Sequence, residues 1–511
     1  MARYVDYNYD QMKMIPVSYE KQILPGSFEH SLSWLIDEEL DLSVFDQYYR
    51  NDDNGRPAYD PRLLLKIIIL AYAKGVTSSR RIEALCRENI IFMALSADLR
   101  PDHSTISDFI SRSSEAISDL FSQIVLICDQ LGLIGKDMFA IDGCKLPSNA
   151  SKEWSGTHAE LKKKRQKIDR AVRRMLKRHQ EQDMAERQPE IHEREREQIR
   201  KQRAASRKIK RFIESEHERT GVSGRAIKSN ITDNESAKMK TGHGVIQGYT
   251  GVAAVDSKHQ VVVHAEAFGQ GQEHGLIPPI LEGIRETFRD SSQSSKRKLK
   301  KTKITADAGY HNEATLRYLE VEKIDAYIAD TGFRSRDPRF KDYKTAKERN
   351  RRKEKARFTR DDFQIDQSKG TCRCPAGKAL WLKARRARIG YHWFMQFQAY
   401  ENDCAKCGMR KRCLRNEQQK TPRQINVALD ITAERKAGVI ERMKHKIDSL
   451  KGRHIYSQRL GTVEPVFGHI TDGIGIKRFS YRGKRKVDGQ WKLMMALHNM
   501  LKIHRYGWGY G

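Results

Sequence analysis

Two short stretches decide how this chain is read: Phe139-Ala140-Ile141-Asp142-Gly143 and Ile304-Thr305-Ala306-Asp307-Ala308-Gly309-Tyr310. Each is an apolar, strand-like run that ends in an aspartate followed by small residues. A third stretch, Thr462-Val463-Glu464-Pro465-Val466-Phe467-Gly468, places a glutamate on an amphipathic helix, with Val463, Val466, Phe467 and Ile470 on the buried side. We expect Glu464 in the first turn of that helix, where Pro465 is tolerated. Side chains at strand ends project past the sheet while their backbone stays paired. Two aspartates on neighbouring strand ends raise each other's pKa unless a cation lies between them.

The surrounding composition points to a polyanionic partner. The chain has 511 residues, 96 Lys+Arg against 66 Asp+Glu, and a formal net charge of +30. Neutralised phosphates release counter-ions, so such a surplus favours nucleic acid. The 38% hydrophobic content supports a core, and the 32% charged content suggests charged insertions into compact domains. There is no run of 18 apolar residues and no signal-peptide pattern at Met1-Ala2-Arg3-Tyr4, so a cytoplasmic protein with no membrane association is expected. The eight cysteines are too few for a disulfide scaffold and read as reduced.

Working outward, residues 1–135 read as helical. Tyr59-Asp60-Pro61 opens an apolar helix from Leu63 to Ala73, a second runs from Arg80 to Glu88, and a third piece spans Ile90 to Leu95. Asp102-His103-Ser104-Thr105 is an N-cap before Ile106–Arg112. Short helices joined by polar turns suit a helix-turn-helix DNA-binding module or a plain bundle. Arg80, Arg81, Ser104 and Thr105 are its candidate DNA contacts, because helix starts commonly meet phosphates.

From residue 136 the pattern changes to strands. Residues 152–235 form a first insertion almost without core pattern; between 162 and 178 it carries ten Lys/Arg and one acid, and it reads as a basic helical hairpin that tracks a DNA backbone. A β-hairpin follows, 244–255 and 260–265 around Asp256-Ser257-Lys258-His259, then a helix over 276–288, a basic loop at 296–301, the Ile304 strand, a helix over 312–322 and a strand over 324–328. A second basic, Cys-containing insertion covers 333–425, and helices at 439–450, at Glu464 and at 491–504 close the chain. This order matches an α/β, ribonuclease H-like catalytic domain over 136–511.

With these elements placed, the chain resembles the DDE transposases of bacterial insertion sequences, those with a helical N-terminal domain and a Tyr–Arg–Glu–Lys signature around the third acid. The resemblance rests on Tyr59–Arg112, Ala140–Gly143, Ala306–Tyr310 and Val463–Gly468. It implies that Asp142, Asp307 and Glu464 are the catalytic metal ligands for two Mg²⁺ ions, with Mn²⁺ able to substitute. Tyr456 and Arg459 match the Tyr and Arg that contact DNA near the cut. The spacing departs from the signature, since four residues separate Arg459 from Glu464 where three are usual. Thr471 stands where the Lys is expected, and Lys477 and Arg478 are the nearest basic substitutes. The implied function is binding of terminal inverted repeats, metal-dependent cleavage of double-stranded DNA and strand transfer to target DNA. The implied assembly is at least a dimer, associated with the bacterial nucleoid. The alternatives are a catalytically impaired DNA-binding repressor of transposition and a ribonuclease H-like nuclease without strand transfer.

Cys374, Cys404, Cys407 and Cys413 form a candidate structural Zn²⁺ set, with Cys372 the spare. Five unligated thiols are the alternative. His274, beside Glu273, is a candidate for contact with metal or DNA, or a cap.

Overall fold

The structure is a computed structural model. It describes residues 16–49, 57–182, 189–220, 226–242, 244–289, 301–337, 339, 358–389, 392–414, 416, 419, 421–429 and 438–507. The basic loop at 296–300, most of the basic run at 340–357 and the tail at 508–511 lie outside the described residues. Two compact units emerge: residues 1–331 with 443–511, and residues 332–442.

In the first unit the N-terminal part is helical: α1 (Phe28–Trp34), α2 (Pro61–Ala73), α3 (Ser79–Glu88), α4 (Ile90–Leu95), α5 (His103–Arg112) and α6 (Ser114–Gln130). Local chemistry sets their starts. Asp60 accepts from the Arg62 amide at 2.7 Å, and Pro61 occupies the first turn of α2. Asn89 caps α4, and Asp102 caps α5 by accepting from the Thr105 amide at 2.7 Å. After α2 the chain turns at Gly75, φ +74°, where a Cβ would lie 2.5 Å from the Ile474 carbonyl oxygen.

The sheet follows. Its strands are β1 (Met138–Pro147), β2 (Ala237–Thr241), β3 (Gly244–Asp256), β4 (Val262–Phe268), β5 (Lys303–Ala306) and β6 (Ala326–Ile328). The order is β2-β3-β1-β5-β6, with β4 also on β3. β1, β3 and β4 are antiparallel neighbours, while β1–β5 and β5–β6 are parallel. The sequence reading contained the β3–β4 hairpin but not β2. The first insertion is a helical hairpin, α7 (His158–Gln182) and α8 (Pro189–Ser215). It is not devoid of core pattern: Leu161, Ile209, Phe212 and Ile231 bury together, with Trp154 and Ile168 packed against them.

Helices α9 (Ile277–Thr287) and α10 (Glu313–Val321) connect strands, and α11 (Val439–Asp448), α12 (Leu450–Gly468) and α13 (Lys484–Tyr506) end the chain. α13 packs on both α6 and β4. Trp491 is fully buried and donates to the Val252 carbonyl at 3.0 Å. Gly251 gives that indole its room, since a Cβ there would lie 2.7 Å from the ring. Asn499 pairs with both backbone groups of Val262 at 2.8 Å, tying α13 to the start of β4.

One expectation fails here. Glu464 is not in the first turn of a helix. Ser449, which accepts from the Gly452 amide at 3.0 Å, starts α12 fourteen residues earlier on its cap, and Pro465 lies inside the helix. Pro465 has no N–H for the carbonyl of Gly461; the Gln260 side-chain amide donates to that oxygen at 3.0 Å instead.

The second unit contains a five-stranded antiparallel sheet that the sequence reading missed: β7 (Gln364–Asp366), β8 (Thr371–Arg373), β9 (Ala379–Ile389), β10 (His392–Gln398) and β11 (Gln424–Ala428), in sequential order. Phe397, Val427, Ile425, Leu380 and Cys372 form its core.

Candidate active site

The parallel pairing of Ile141 with Ala306 puts the next residues, Asp142 and Asp307, side by side on β1 and at the end of β5. Adjacent strands lie about 4.8 Å apart. The two carboxylates therefore lie together, as the sequence reading expects, but only Asp307 is at a strand end: β1 runs on past Asp142 to Pro147.

Each carboxylate is held locally. Asp142 Oδ1 accepts from the Gly143 amide and Asp307 Oδ1 from the Gly309 amide, both at 2.8 Å. Arg459 Nη1 donates to Asp142 Oδ2 at 2.7 Å, and the two side chains are 9% and 19% exposed. Burial pushes the Asp142 carboxyl above its ordinary value; Arg459 works against this, and Asp307 adds to it. The Arg459 guanidinium lies 5.8 Å from the Tyr456 ring centroid. Tyr456 and Arg459 thus flank the aspartates, carried there by α12.

Glu464 does not. It is exposed. It follows the buried Arg459 by five residues, which turns it about 140° around the helix axis. Among the described residues its side chain has no hydrogen bond or ion pair.

A different glutamate stands at the site. Glu273, in the turn between β4 and α9, is 13% exposed and lies 3.9 Å from Lys145 of β1. A Cβ on Gly309 would meet Glu273 Oε2 at 2.0 Å and Asp307 Oδ1 at 3.0 Å, so these oxygens lie no more than about 5 Å apart. Burial pushes the Glu273 carboxyl up to about 7, with Asp307 adding and Lys145 opposing. Tyr310 is fully buried beside this group, and its hydroxyl has no hydrogen-bond partner. The sequence signal for Glu273 was its position between a strand and a helix in the same βαβ region, which periodicity does not single out. His274 is exposed and faces Asn312 at 3.5 Å.

Among the described residues, no three His, Cys, Asp or Glu side chains are grouped so as to hold a metal ion. With Asp142 turned to Arg459, the carboxylates form a pair and a neighbour, not a closed cage. Their chemistry nevertheless fits a hard divalent cation: oxygen donors, partly desolvated, with an orphan hydroxyl beside them.

The remaining candidates scatter. Arg80 and Arg478 line one groove of about 390 Å³. Arg81 is exposed on α3. The Ser104 hydroxyl donates to Asp102 at 2.6 Å and the Thr105 amide to the same oxygen, so both serve the α5 cap. Lys477 pairs with Asp472 at 3.6 Å. Thr471 donates to the Phe467 carbonyl at 2.9 Å, in a π-helical turn over His469–Gly473.

In the second unit, Cys374, Cys404, Cys407 and Cys413 line one cavity of about 30 Å³, while Cys372 is buried in the sheet core. Arg410 donates to the Cys404 carbonyl at 2.7 Å and Arg423 to the Cys413 carbonyl at 3.2 Å. Burial raises the Cys413 thiol; Arg423 opposes this, and the other three cysteines add to it. As placed, these four thiols are near one another without being grouped as a metal cage.

Two neighbouring aspartates on a mixed sheet, next to a basic helical region, are features that a DNA-processing protein would need. The comparisons narrow this. The family model for the transposase DDE domain matches residues 373–504, and a transposase domain (DUF772) matches residues 17–112. No curated protein matches the chain. Both matches are to transposase families, and together they support a bacterial insertion-sequence DDE transposase, a class whose function is transposition. Tyr456, Arg459, Glu464 and the four cysteines fall inside the matched residues, whereas Asp142, Asp307 and Glu273 fall between the two matches. Among the described residues, no helix is long and apolar enough to cross a membrane.

Proposed function

We propose that this protein binds the terminal inverted repeats of its own element, cleaves them in a metal-dependent reaction and transfers the freed 3′ ends to target DNA. The observation that carries the reading is the pairing of Ile141 with Ala306, which sets Asp142 beside Asp307. The strand order, three antiparallel strands followed by two parallel ones, supports a ribonuclease H-like catalytic domain over 136–511, with residues 1–135 binding DNA.

Asp142 and Asp307 would hold Mg²⁺, or Mn²⁺ in its place. Such an ion supplies Lewis-acid activation of a water or 3′-hydroxyl and stabilises the leaving oxygen of the phosphodiester. The chain's own groups do the rest. Arg459 holds the Asp142 carboxylate in its rotamer and neutralises it until substrate arrives. Tyr456 presents a ring beside that guanidinium, suited to stack on a base or sugar near the cut. Synapsis of two ends calls for at least two copies, and action on chromosomal DNA places the protein at the nucleoid. Glu464 remains the third acid implied by the sequence signature, and its exposed position makes it a test case.

The test is cleavage of a labelled element-end duplex, in Mg²⁺ and in EDTA, by wild type and by the Asp142→Ala, Asp307→Ala and Glu464→Ala variants. Boundary cleavage that needs Mg²⁺ and both aspartates supports the reading. Binding without any cleavage favours the repressor reading, which the threonine at position 471 motivates. Cleaved ends that never join a target plasmid favour a nuclease. A structural Zn²⁺ on Cys374, Cys404, Cys407 and Cys413 belongs to the same proposal. Fewer than about half an equivalent of zinc in purified protein would remove it.

A further inference from the structure

We propose that the groove between the start of α3 and the segment 478–481 is a phosphodiester-binding site that grips the DNA backbone. The proposal rests on the transposase reading and adds a specific contact to it. The groove has a volume of about 390 Å³ and brings together residues from four separate segments of the chain: Arg80, Ser107, Asn149, and Arg478 with Ser480. No aspartate or glutamate lines it.

Its donors are arranged for an anion. Arg80 and Arg478 are exposed, and neither has an acidic partner among the described residues. The Ser78 side chain makes no cap hydrogen bond, and the first intrahelical bond of α3 runs from Ile82 to the Ser78 carbonyl at 3.0 Å. The amides of residues 79–81 therefore have no partner within the helix. The far wall is fixed before any ligand arrives. Tyr481 donates to the Ser107 carbonyl at 3.4 Å, Asn149 to the Ser480 carbonyl at 3.3 Å, and Arg478 to Asn149 Oδ1 at 3.4 Å.

Two other grooves in the same helical region show what an unsuitable site looks like. One of about 720 Å³ is lined by Asp41, Asp46 and Asp60, and one of about 420 Å³ by Asp102 and Asp108. Their carboxylates would repel a phosphate. Asp108, which acts on Tyr481 at the groove, pairs with Arg112 at 3.3 Å. Position also matters. Asn149 lies two residues beyond β1, the strand that carries Asp142.

The contact is to backbone, so it should be blind to sequence. The experiment measures binding of the full chain, in EDTA, to a fluorescent element-end duplex and to a scrambled duplex of equal length over a range of salt. Arg80→Ala and Arg478→Ala should each weaken binding of both duplexes by about tenfold. Each should also make the dependence of log K on log salt shallower by about one. Arg80→Lys and Arg478→Lys should keep the slope, and Lys21→Ala should change neither quantity. Unchanged affinity and slope in both alanine variants would overturn the groove and leave the transposase reading standing. Loss for the element end alone would also overturn it, because that is base readout. Failure of wild type to bind either duplex would overturn the reading on which the groove rests.

Discussion

Replacing Glu273 by Gln should stabilise the metal-free protein at pH 8.5 and change little at pH 4. The Glu273 carboxyl is held at about 7 in the fold against an ordinary 4.5, because its site is desolvated and Asp307 lies beside it, with Lys145 only partly compensating. A folded pKa above the unfolded one means that the proton contributes stability. That contribution is complete below about pH 4.5 and is lost as pH rises through about 7. At 1.36 kcal/mol per unit, the loss by pH 8.5 approaches about 3 kcal/mol. Glutamine cannot ionise and so keeps what the wild type loses. Urea denaturation in EDTA at the two pH values, wild type against variant, measures this directly. His264 and His498, both pushed down to about 3 by burial, are common to the two proteins and cancel in the difference. A variant whose advantage is the same at both pH values would refute the argument, because it would place the effect in packing and not in ionisation.

Other outcomes follow from the same geometry. Arg459→Met should cost about 3–5 kcal/mol in chemical denaturation, since it strands the buried Asp142 carboxylate; adding Asp142→Asn should recover much of that loss. Gly309→Ala should displace the Glu273 carboxylate, whose Oε2 sits 2.0 Å from the new Cβ, and its stability should then vary with pH less than that of wild type. Trp491→Ala should cost about 3–5 kcal/mol, read by thermal melting, because the indole is fully buried against Gly251 and bonded to Val252.

Where one residue type decides local structure, the sequence was legible. Asp60-Pro61 and Asp102 mark helix starts by their own side-chain bonds, and the structure places α2 and α5 there. The β3–β4 hairpin and β5 are runs of apolar residues bounded by turn formers, and the expected segments contain the observed strands to within a few residues. The nearness of Asp142 and Asp307 was expected from two strand ends; Asp307 is at one, whereas β1 runs on past Asp142 to Pro147. What escaped was set by tertiary partners. Strands β9 and β10 alternate arginine and glutamine with small or aromatic residues, so their faces show only once the sheet assembles. Glu273 sits in a turn whose ends are brought to Asp307 by the sheet. Glu464 is exposed; five residues after Arg459, it lies about 140° further round the helix, where the signature's spacing would leave it about 40° away.

The same helix supplies a sharper test. Pro465 looked like a helix start because proline is tolerated there, yet it lies inside α12. Its missing N–H orphans the Gly461 carbonyl, and Gln260 fills the gap at 3.0 Å. Gln260→Ala should therefore cost about 1–2 kcal/mol in wild type, as an unsatisfied carbonyl does. In a Pro465→Ala background the new amide reaches Gly461 along the helix, and the same Gln260→Ala change should cost little of that. Gln260 also accepts from Lys502 at 3.2 Å, a bond lost in both backgrounds, so only the difference between them reports on the carbonyl. Equal costs in the two backgrounds would mean that water already satisfies Gly461. The proline would then be tolerated because Gly461 leaves it room, with the hairpin contributing nothing. A difference near 1 kcal/mol or more would make the β3–β4 turn part of what keeps α12 continuous, and hence part of what carries Arg459 to Asp142.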